Sequence, residues 1–294
     1  MARIQIFLEN FILTCLSIIR IIILSDIFIL LKQRKPVINC SRESVILANG
    51  PSLSESIDSN PEFLTGKDMV CVNFYPETSY YKQLKPRYFV TGAPELWIKD
   101  VSPEWEIKRN NLFETIKNQT DWDIIFLIPS LARKHKSWQN VLKVNPHIKI
   151  TYYNITPVEG FKWFKHICFR LSLGMPRPHN VLTPSLMLIL NYGYKRIFLL
   201  GADHSWLPEI TVDNQNRVLL RHRHFYDENT ASLLQMGTIK MGVRKLHEVL
   251  HKFYYTFAGY FIIKEYAESL EATIINATPD SFIDAFDRKS IKEI

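Results

Sequence analysis

Seven short apolar runs recur along the chain, and polar or amphipathic stretches separate them. Each run is rich in β-branched or aromatic residues, and most are bounded by Gly, Pro, Asn or Asp, as expected for strands. The predicted strands are residues 45–48, 69–73, 88–91, 123–128, 148–153, 196–200 and 273–276. This alternation predicts an α/β fold with a Rossmann-like, mostly parallel sheet flanked by helices.

The composition indicates a folded chain with anionic partners. Hydrophobic residues make up 47% and charged residues 22% of the chain, which excludes disorder as the main state. The 36 basic and 29 acidic residues give a net charge of +7. This excess favours phosphates, nucleotides or anionic lipid, and the lack of dense Lys/Arg runs predicts no nucleic-acid partner. The four cysteines form no CxxC pair, which indicates reduced thiols in a cytosolic compartment.

The N-terminal residues 7–31 are rich in Ile, Leu and Phe, and they include Glu9, Arg20 and Asp26. A secretory signal is disfavoured because Arg20 lies inside the apolar stretch and no small-residue cleavage site follows. The polar side chains share one arc of a helical wheel: Glu9, Asn10, Thr14, Ser17 and Arg20. We therefore predict an N-terminal apolar helix with one polar side.

This segment has three interpretations. It is an interfacial helix in the headgroup layer, a short membrane span, or a helix packed on the core of its own domain or on a partner subunit. In a span, a central Arg costs roughly 2.5–3.5 kcal/mol, which the surrounding Ile and Leu offset. The basic flank at residues 32–35 places the rest of the chain on the cytoplasmic side. Membrane association is favoured, with an anchor over residues 1–35 and an α/β domain over residues 36–294.

Two further features organise the second half of the chain. Thr183 and Pro184 predict a helix start, with Thr183 as the N-cap and Pro184 at the first helical position, and Gly193 predicts its end. Residues 204–236 have little apolar periodicity but many charges and histidines, which indicates a long excursion or lid. Helical spacing returns over residues 238–271.

The strongest local motif is Asn49-Gly50-Pro51-Ser52, directly after the first strand. It puts backbone N–H groups and small side chains at the carboxyl end of a strand, where open α/β sheets bind nucleotides and phosphates. GxGxxG and GxxxxGK[ST] are both missing, which disfavours an ordinary dinucleotide fold and excludes a Walker loop. A plain strand–turn–helix connection, with the helix beginning at Ser52 or Ser54, would use the same residues.

Two more strands end in polar residues that belong to the same predicted site. Asn73 closes the second strand and lies beside Asn49 if the two strands are neighbours, so the two amides can read a ribose hydroxyl or a base edge. Alone, such an Asn is a turn former. The strand at residues 196–200 delivers Gly201 and Asp203 to the same edge, where Gly201 allows close backbone approach and Asp203 orients a loop or a histidine.

The predicted lid contains Arg221, His222, Arg223 and His224. Arginines beside histidines attract anions, and an imidazole near its free pKa suits general base catalysis. Two alternatives stay open: a solvated basic loop, and a metal site. The residues of that metal site would be His204, His222 and His224 with Asp203 or Asp227.

Near the C-terminus, Thr278 and Ser281 follow the last strand and are predicted to close a nucleotide pocket. A capping turn for a helix over residues 282–286 is the alternative.

Taken in order, these landmarks resemble the bacterial sialyltransferases of glycosyltransferase family 42 and the related motility-accessory and pterin pyrophosphokinase-like proteins. The resemblance covers roughly residues 44–285. The matching motifs are Ala48–Leu53 for the cytidine nucleotide site, Asn73-Phe74-Tyr75, Gly193–Asp203, Thr183-Pro184-Ser185 for a Thr-Ser-Gly helix start, and Ala277–Ser281 for a late Cys-Pro-Asn-Ser turn.

The resemblance implies a lid histidine as catalytic base, which is His224 with His222 second. It also implies a nucleotide site that includes Thr183 and Ser185. In the family, a Tyr two residues after the strand-end Asp holds the departing phosphate, whereas this chain has Ser205 there. Tyr226 would have to substitute for it, with Arg223 as a cation beside it. This difference from the family weakens the expectation of a sialic-acid donor more than the expectation of a nucleotide-activated sugar donor.

The expected function is therefore metal-independent transfer of a sugar, from a CMP-sugar above all, to a surface-glycan acceptor in capsule or lipopolysaccharide assembly. We expect it at the cytoplasmic face of the inner membrane, and a homo-oligomer stays open. The alternatives are pyrophosphoryl transfer to a pterin-like alcohol and a non-catalytic membrane-bound nucleotide-binding or scaffold protein.

Overall fold

The structure is a computed structural model, and it describes residues 2–25, 42–135, 137–221, 233–235, 237–238 and 242–294. Eight strands form one sheet: β1 Ser44–Leu47, β2 Asp68–Val72, β3 Tyr88–Val90, β4 Ile124–Pro129, β5 Ile148–Tyr153, β6 Arg196–Leu200, β12 Thr273–Asn276 and β13 Asp287–Arg288. Their order in the sheet is β13-β12-β6-β1-β2-β3-β4-β5, and every neighbouring pair is parallel. The α/β fold with a parallel sheet is confirmed.

Helices cover both faces of the sheet. The helices are α1 Ala2–Leu24, α2 Leu53–Ser59, α3 Ser79–Leu84, α4 Pro103–Gln119, α5 Ser137–Lys143, α6 Lys162–Arg170, α7 Leu182–Tyr192 and α8 Leu246–Ser269. On one face, α6, α7 and α8 pack over a core that includes Ile46, Val70 and Leu199. On the other face, α2, α3, α4 and α5 pack over Val45, Cys71 and Phe126. The strands β1, β2, β3, β4 and β6 are therefore almost wholly buried, as the apolar runs predict, whereas β13 is exposed.

The order of the strands reverses beside β1. From β1 the chain moves outward through β2, β3, β4 and β5, and then returns to pair β6 with the other edge of β1. In open α/β sheets, ligands bind in the crevice at the carboxyl ends of the strands at such a reversal. In this sheet the reversal lies between β1 and β6.

The start of α7 differs from the prediction. The helix begins at Leu182, so Thr183 is its second residue and Pro184 its third. The capping oxygen comes from Asn180, whose Oδ1 accepts from the Thr183 backbone N–H at 3.1 Å. Asn180, three residues earlier, therefore caps the N-terminus of the helix in place of Thr183. The predicted end is confirmed, because Gly193 follows the helix in the left-handed region at φ 101°.

The segment after Ser281 is not the helix of the alternative interpretation. Residues 282–286 are irregular, and the short strand β13 follows and pairs with β12. Ser281 uses its hydroxyl in another way, because Oγ donates to the Ala202 carbonyl at 2.6 Å and accepts from Ile283 N–H.

The described part of residues 204–243 contains short antiparallel strands. These are β7 Ile210–Val212, β8 Val218–Arg221, β9 Leu233–Gln235, β10 Gly237–Thr238 and β11 Gly242–Val243. A small separate core joins the hairpin of β7 and β8 to α8 through Val218, Val249 and Phe253. Trp206 packs against the same core. The first half of the excursion is thus held on the N-terminal half of α8.

Helix α1 docks on the domain by its polar arc. Ser17 Oγ donates to the Glu159 carbonyl at 3.0 Å and accepts from the Glu159 N–H at 2.9 Å, and Thr14 Oγ1 accepts from the Phe161 N–H at 3.1 Å. Arg20 pairs with the Glu159 carboxylate at 2.7 Å. Burial alone would raise the pKa of Glu159, but hydrogen bonds from Arg177 and Arg20 outweigh it and lower that pKa.

Gly160 makes this contact possible. Its φ is +110°, and a Cβ there would lie 2.1 Å from Thr14 Oγ1 and 2.9 Å from Asn10 O. Only glycine fits both the backbone conformation and the close approach of the helix.

The apolar side chains of α1 point away from the domain. Twelve large apolar residues are 42–71% exposed: Ile4, Ile6, Phe7, Leu8, Phe11, Ile12, Leu16, Ile18, Ile19, Ile22, Ile23 and Leu24. Only Ile21 joins the main core from this helix. The polar arc and Ile21 of α1 thus contact its own domain, whereas most apolar side chains of the helix remain exposed. Within the described residues, the segment Arg3–Leu24 is long and apolar enough to cross a membrane by length and composition.

Candidate functional site

The ends of β1 and β6 are joined beyond the regular strands. The Ala48 N–H donates to the Leu200 carbonyl at 2.9 Å, and the Gly50 N–H donates to the Gly201 carbonyl at 2.8 Å. Two predicted site segments, 49–52 and 201–203, therefore lie side by side at the reversal of the strand order.

Both glycines in this contact are required by space. A Cβ on Gly50 would lie 1.9 Å from Asp203 Oδ2 and 2.4 Å from the Gly201 carbonyl. Gly201 has φ +66°, and a Cβ on it would lie 2.4 Å from the Ala48 carbonyl. Gly201 therefore lies in close backbone contact with Ala48.

Asp203 orients the loop that follows β1. Its carboxylate accepts from the Ser52 N–H at 3.2 Å and from Ser52 Oγ at 3.0 Å. Burial raises the pKa of Asp203, and the two hydrogen bonds from Ser52 oppose that shift. Ser52 directly precedes α2, and Pro51 is exposed in the turn between Gly50 and Ser52. Asp203 therefore fixes the geometry of the Asn-Gly-Pro-Ser turn.

The turn near the C-terminus binds the Gly201–Asp203 segment through hydrogen bonds. Thr278 Oγ1 accepts from the Ala202 N–H at 3.0 Å, and Ser281 Oγ donates to the Ala202 carbonyl at 2.6 Å. The Phe282 N–H donates to the Asp203 carbonyl at 2.8 Å. Thr278 and Ser281 are 5% and 2% exposed, so their hydroxyls hold the Gly201–Asp203 segment in place.

Three buried side-chain oxygens at neighbouring strand ends have no hydrogen-bond partner within the described residues. They are Asn49 Oδ1, Asn73 Oδ1 and Thr91 Oγ1, which follow β1, β2 and β3. The strands are neighbours as the sequence predicts, and Asn49 Nδ2 donates to the Val72 carbonyl at 3.1 Å. Asn73 adopts a left-handed φ of 47°. Leaving buried oxygens without a donor costs about 1–3 kcal/mol each, so this row of oxygens fits a ligand that brings its own donors.

A second polar cluster lies at the start of α7, and sequence reasoning missed it as a unit. His204 Nε2 is 2.6 Å from Tyr260 Oη and 3.1 Å from Asn180 Nδ2, and Asn180 Nδ2 also donates to Tyr260 Oη at 2.6 Å. The rings of Trp206 and His204 pack with their centroids 4.1 Å apart and their planes tilted by 31°. Burial raises the pKa of the Tyr260 phenol, which therefore stays protonated. Tyr260 sits mid-helix in an apolar stretch, so only the fold brings it to His204.

The other predicted site residues divide into two groups. Thr183 and Ser185 are 1% and 0% exposed, and Ser185 Oγ donates to the Val181 carbonyl at 2.8 Å within α7. His222, Arg223, His224 and Tyr226 lie outside the described residues. Arg221 is exposed at the end of β8, where Nε lies 3.8 Å from Glu209 Oε2. Among the described residues, no group of three His, Cys, Asp or Glu side chains is placed to hold a metal ion.

No protein-family model matches the chain, and no curated protein matches it. The chain is similar in structure to the MAf glycosyltransferase from Magnetospirillum magneticum AMB-1, with a TM-score of 0.49 and 11% sequence identity. The likeness covers 90% of this chain and 37% of that one, so the chain spans little more than a third of that protein's length.

Proposed function

We propose that the chain is a glycosyltransferase that uses a nucleotide-activated sugar, with the nucleotide bound at the carboxyl ends of β1, β2, β3 and β6. The observation that carries the proposal is the row of buried oxygens Asn49 Oδ1, Asn73 Oδ1 and Thr91 Oγ1 beside the reversal of the strand order. A CMP-sugar is the preferred donor, because the motif Ala48–Leu53 resembles the cytidine site of the family 42 sialyltransferases.

The chemistry of these oxygens fits a nucleoside better than a phosphate. Amide oxygens accept hydrogen bonds, so they match ribose hydroxyls and the exocyclic amine of cytosine, both of which donate. A phosphate carries only acceptors at neutral pH and would be repelled there. We therefore place the base and ribose over Asn49, Asn73 and Thr91, with the sugar directed toward the His204–Tyr260 cluster.

In the proposed reaction, the acceptor hydroxyl displaces the nucleotide at the anomeric carbon. His224 removes the hydroxyl proton, with His222 as the second candidate, and Arg221 and Arg223 stabilise the departing phosphate. Tyr226 takes the place of the phosphate-binding Tyr of the family. These side chains neutralise the leaving group by themselves, so we propose that no metal is required.

We further propose that the enzyme works on the cytoplasmic face of the inner bacterial membrane, on a surface glycan. The outward apolar face of α1 supports this location, and so does the neighbouring helix α6. Phe7 of α1 packs on Phe161 at 5.4 Å, and Phe161 stacks on Trp163 at 6.4 Å. Trp163, Ile167 and Leu171 form an exposed stripe at 51–61%, continuous with α1. A tryptophan beside apolar side chains is typical of the membrane interface.

The lid histidines provide the test of turnover. We expect His224→Ala to slow transfer from a CMP-sugar by about 10²–10⁴-fold in single-turnover assays, with little change in donor affinity, because a general base acts on the acceptor hydroxyl. A near-parental rate would remove His224 from the mechanism, and loss of activity in His222→Ala alone would assign that role to His222. A parent protein that binds nucleotide but transfers no sugar would favour a non-catalytic binding protein.

A further inference from the structure

A group of basic side chains surrounds Tyr255, close to the loop that precedes α7. The Arg177 guanidinium lies 5.1 Å from the Tyr255 ring centroid, and the rings of His179 and His251 lie at 5.7 Å and 4.7 Å. Tyr255 and His251 belong to α8, whereas Arg177 and His179 belong to the loop before α7. Two elements that are distant in sequence thus bring cations and imidazoles together.

Arg244 and Lys252 act electrostatically on His179 and on each other. Burial lowers the pKa of Lys252 and the charge of Arg244 lowers it further, while Glu95 opposes the shift. The pKa of His179 falls to about 4, first because of burial and then because of Lys252, Arg177, Arg244 and His251. These groups repel one another, and an anion among them would relieve that repulsion.

His179 offers an unused hydrogen-bonding atom inside the group. Its Nε2 is buried and has no hydrogen-bond partner within the described residues. Arg177 is already held by Glu159, which accepts from its Nε and Nη2 at 2.7 and 2.8 Å. The Arg177 guanidinium is therefore fixed in position, and its Nη1 hydrogens and second Nη2 hydrogen remain to donate to an anion at a lower entropy cost.

The group connects the membrane-facing helix with the crevice. On one side, Glu159 pairs with both Arg177 and Arg20 of α1. On the other side, His179 precedes Asn180, which contacts His204 and Tyr260. An anion bound here would therefore lie between the polar side of α1 and the proposed site of transfer.

We propose that Arg177, His179, Arg244 and Lys252 bind the phosphate of a lipid-linked acceptor, which reaches the crevice from the side of α1. The proposal rests on the proposed function, because it names the class of acceptor. A phosphate monoester or diphosphate fits the group, because its several oxygens accept from Arg and Lys together and its charge balances the excess of cations.

The test uses the full chain and two probes, inorganic pyrophosphate and vesicles of phosphatidylcholine doped with phosphatidic acid, whose headgroup is a phosphate monoester. We expect Lys252→Gln to weaken the binding of each probe by about 10- to 100-fold, which is the usual contribution of a charge-assisted hydrogen bond. Lys264→Gln is the matched control, since it removes the same charge from α8 at a position that pairs with Asp287 at 3.3 Å. Arg244→Gln, which precedes α8, is the second variant should Lys252→Gln misfold.

Five outcomes decide the proposal. Weakened binding of both probes in Lys252→Gln, with unchanged affinity for CMP, supports it. Equal binding in Lys252→Gln and Lys264→Gln overturns it, as does binding of pyrophosphate without any preference for phosphatidic acid over phosphatidylglycerol. Displacement of pyrophosphate by CMP would assign the group to the donor and overturn the acceptor proposal. If CMP fails to bind the parent while the Lys252 effect holds, the phosphate site stands and the nucleotide proposal fails.

Discussion

Gly50→Ala is expected to lower the free energy of unfolding by about 2–4 kcal/mol and to remove nucleotide binding. The new Cβ would meet the Gly201 carbonyl at 2.4 Å and Asp203 Oδ2 at 1.9 Å. Overpacking costs about 1–3 kcal/mol, and displacing the carboxylate from Ser52 costs about a further 1 kcal/mol. Urea denaturation followed by tryptophan fluorescence measures the change.

Gly92→Ala is the matched control for this variant. Gly92 follows β3 at the same edge of the sheet, but a Cβ there would meet the nearest atom, Val181 Cα, at an ordinary 3.6 Å. We expect its unfolding midpoint to stay close to that of the parent. Equal stability of the Gly50 and Gly92 variants would contradict the tight contact between β1 and β6.

The second large effect concerns membrane binding. We expect Ile12→Asn together with Ile19→Asn to weaken flotation with anionic vesicles by about 10²–10⁴-fold, since each isoleucine contributes about 1.5–3 kcal/mol when it leaves water. Ile12 and Ile19 are 57% and 52% exposed and lie outside the polar arc, so the docking contacts of Thr14 and Ser17 stay in place.

Ile107→Asn serves as the control, because Ile107 is 61% exposed on α4, on the opposite face of the sheet from α7 and α8. We expect it to float like the parent. Removal of residues 1–35 should likewise leave a folded domain that does not float. Flotation of the double variant or of the truncated protein would contradict the anchor, and aggregation of the truncated protein would favour a helix that covers a partner surface.

Much of the fold can be predicted from the sequence because local and long-range preferences agree there. The strands at 148–153, 196–200 and 273–276 begin and end as predicted, and the other four shift by one residue at one or both ends. Each is an apolar run closed by residues that favour turns, and in the central strands burial on both faces removes the question of which face lies inside.

The orientation of α1 shows where the periodicity of the sequence is insufficient. The wheel identifies the arc of Thr14, Ser17 and Arg20, and an isolated amphipathic helix would turn that arc to water. Here the partner is the backbone of residues 159–161, which the arc binds through hydrogen bonds that only Gly160 leaves room for. The hydrophobic pattern of a helix identifies its polar face, but it does not show whether water or another part of the protein contacts that face.

The site divides in the same way. Asn49, Asn73, Gly201 and Asp203 could be grouped from sequence because they follow strands, and parallel strands end at one edge. Tyr260 and Lys252 could not, since each lies in the 24-residue helix α8 with nothing local to distinguish it. The contact of Tyr260 with His204 and the electrostatic effect of Lys252 on His179 depend on how α8 crosses α7, which is a property of packing.

The most direct test of the nucleotide site is calorimetry of CMP binding to the parent, Asn49→Ala and Asn73→Ala, with Asn140→Ala as the control. Asn140 is exposed within α5 and, unlike Asn49 and Asn73, does not follow a strand. Each of the first two variants loses one or more hydrogen bonds to the nucleoside, so we predict roughly 3- to 10-fold weaker binding in each, and parental affinity in the control. Unchanged affinity in Asn49→Ala and Asn73→Ala for CMP, and for any uridine or guanosine nucleotide that binds the parent, would contradict the proposed site.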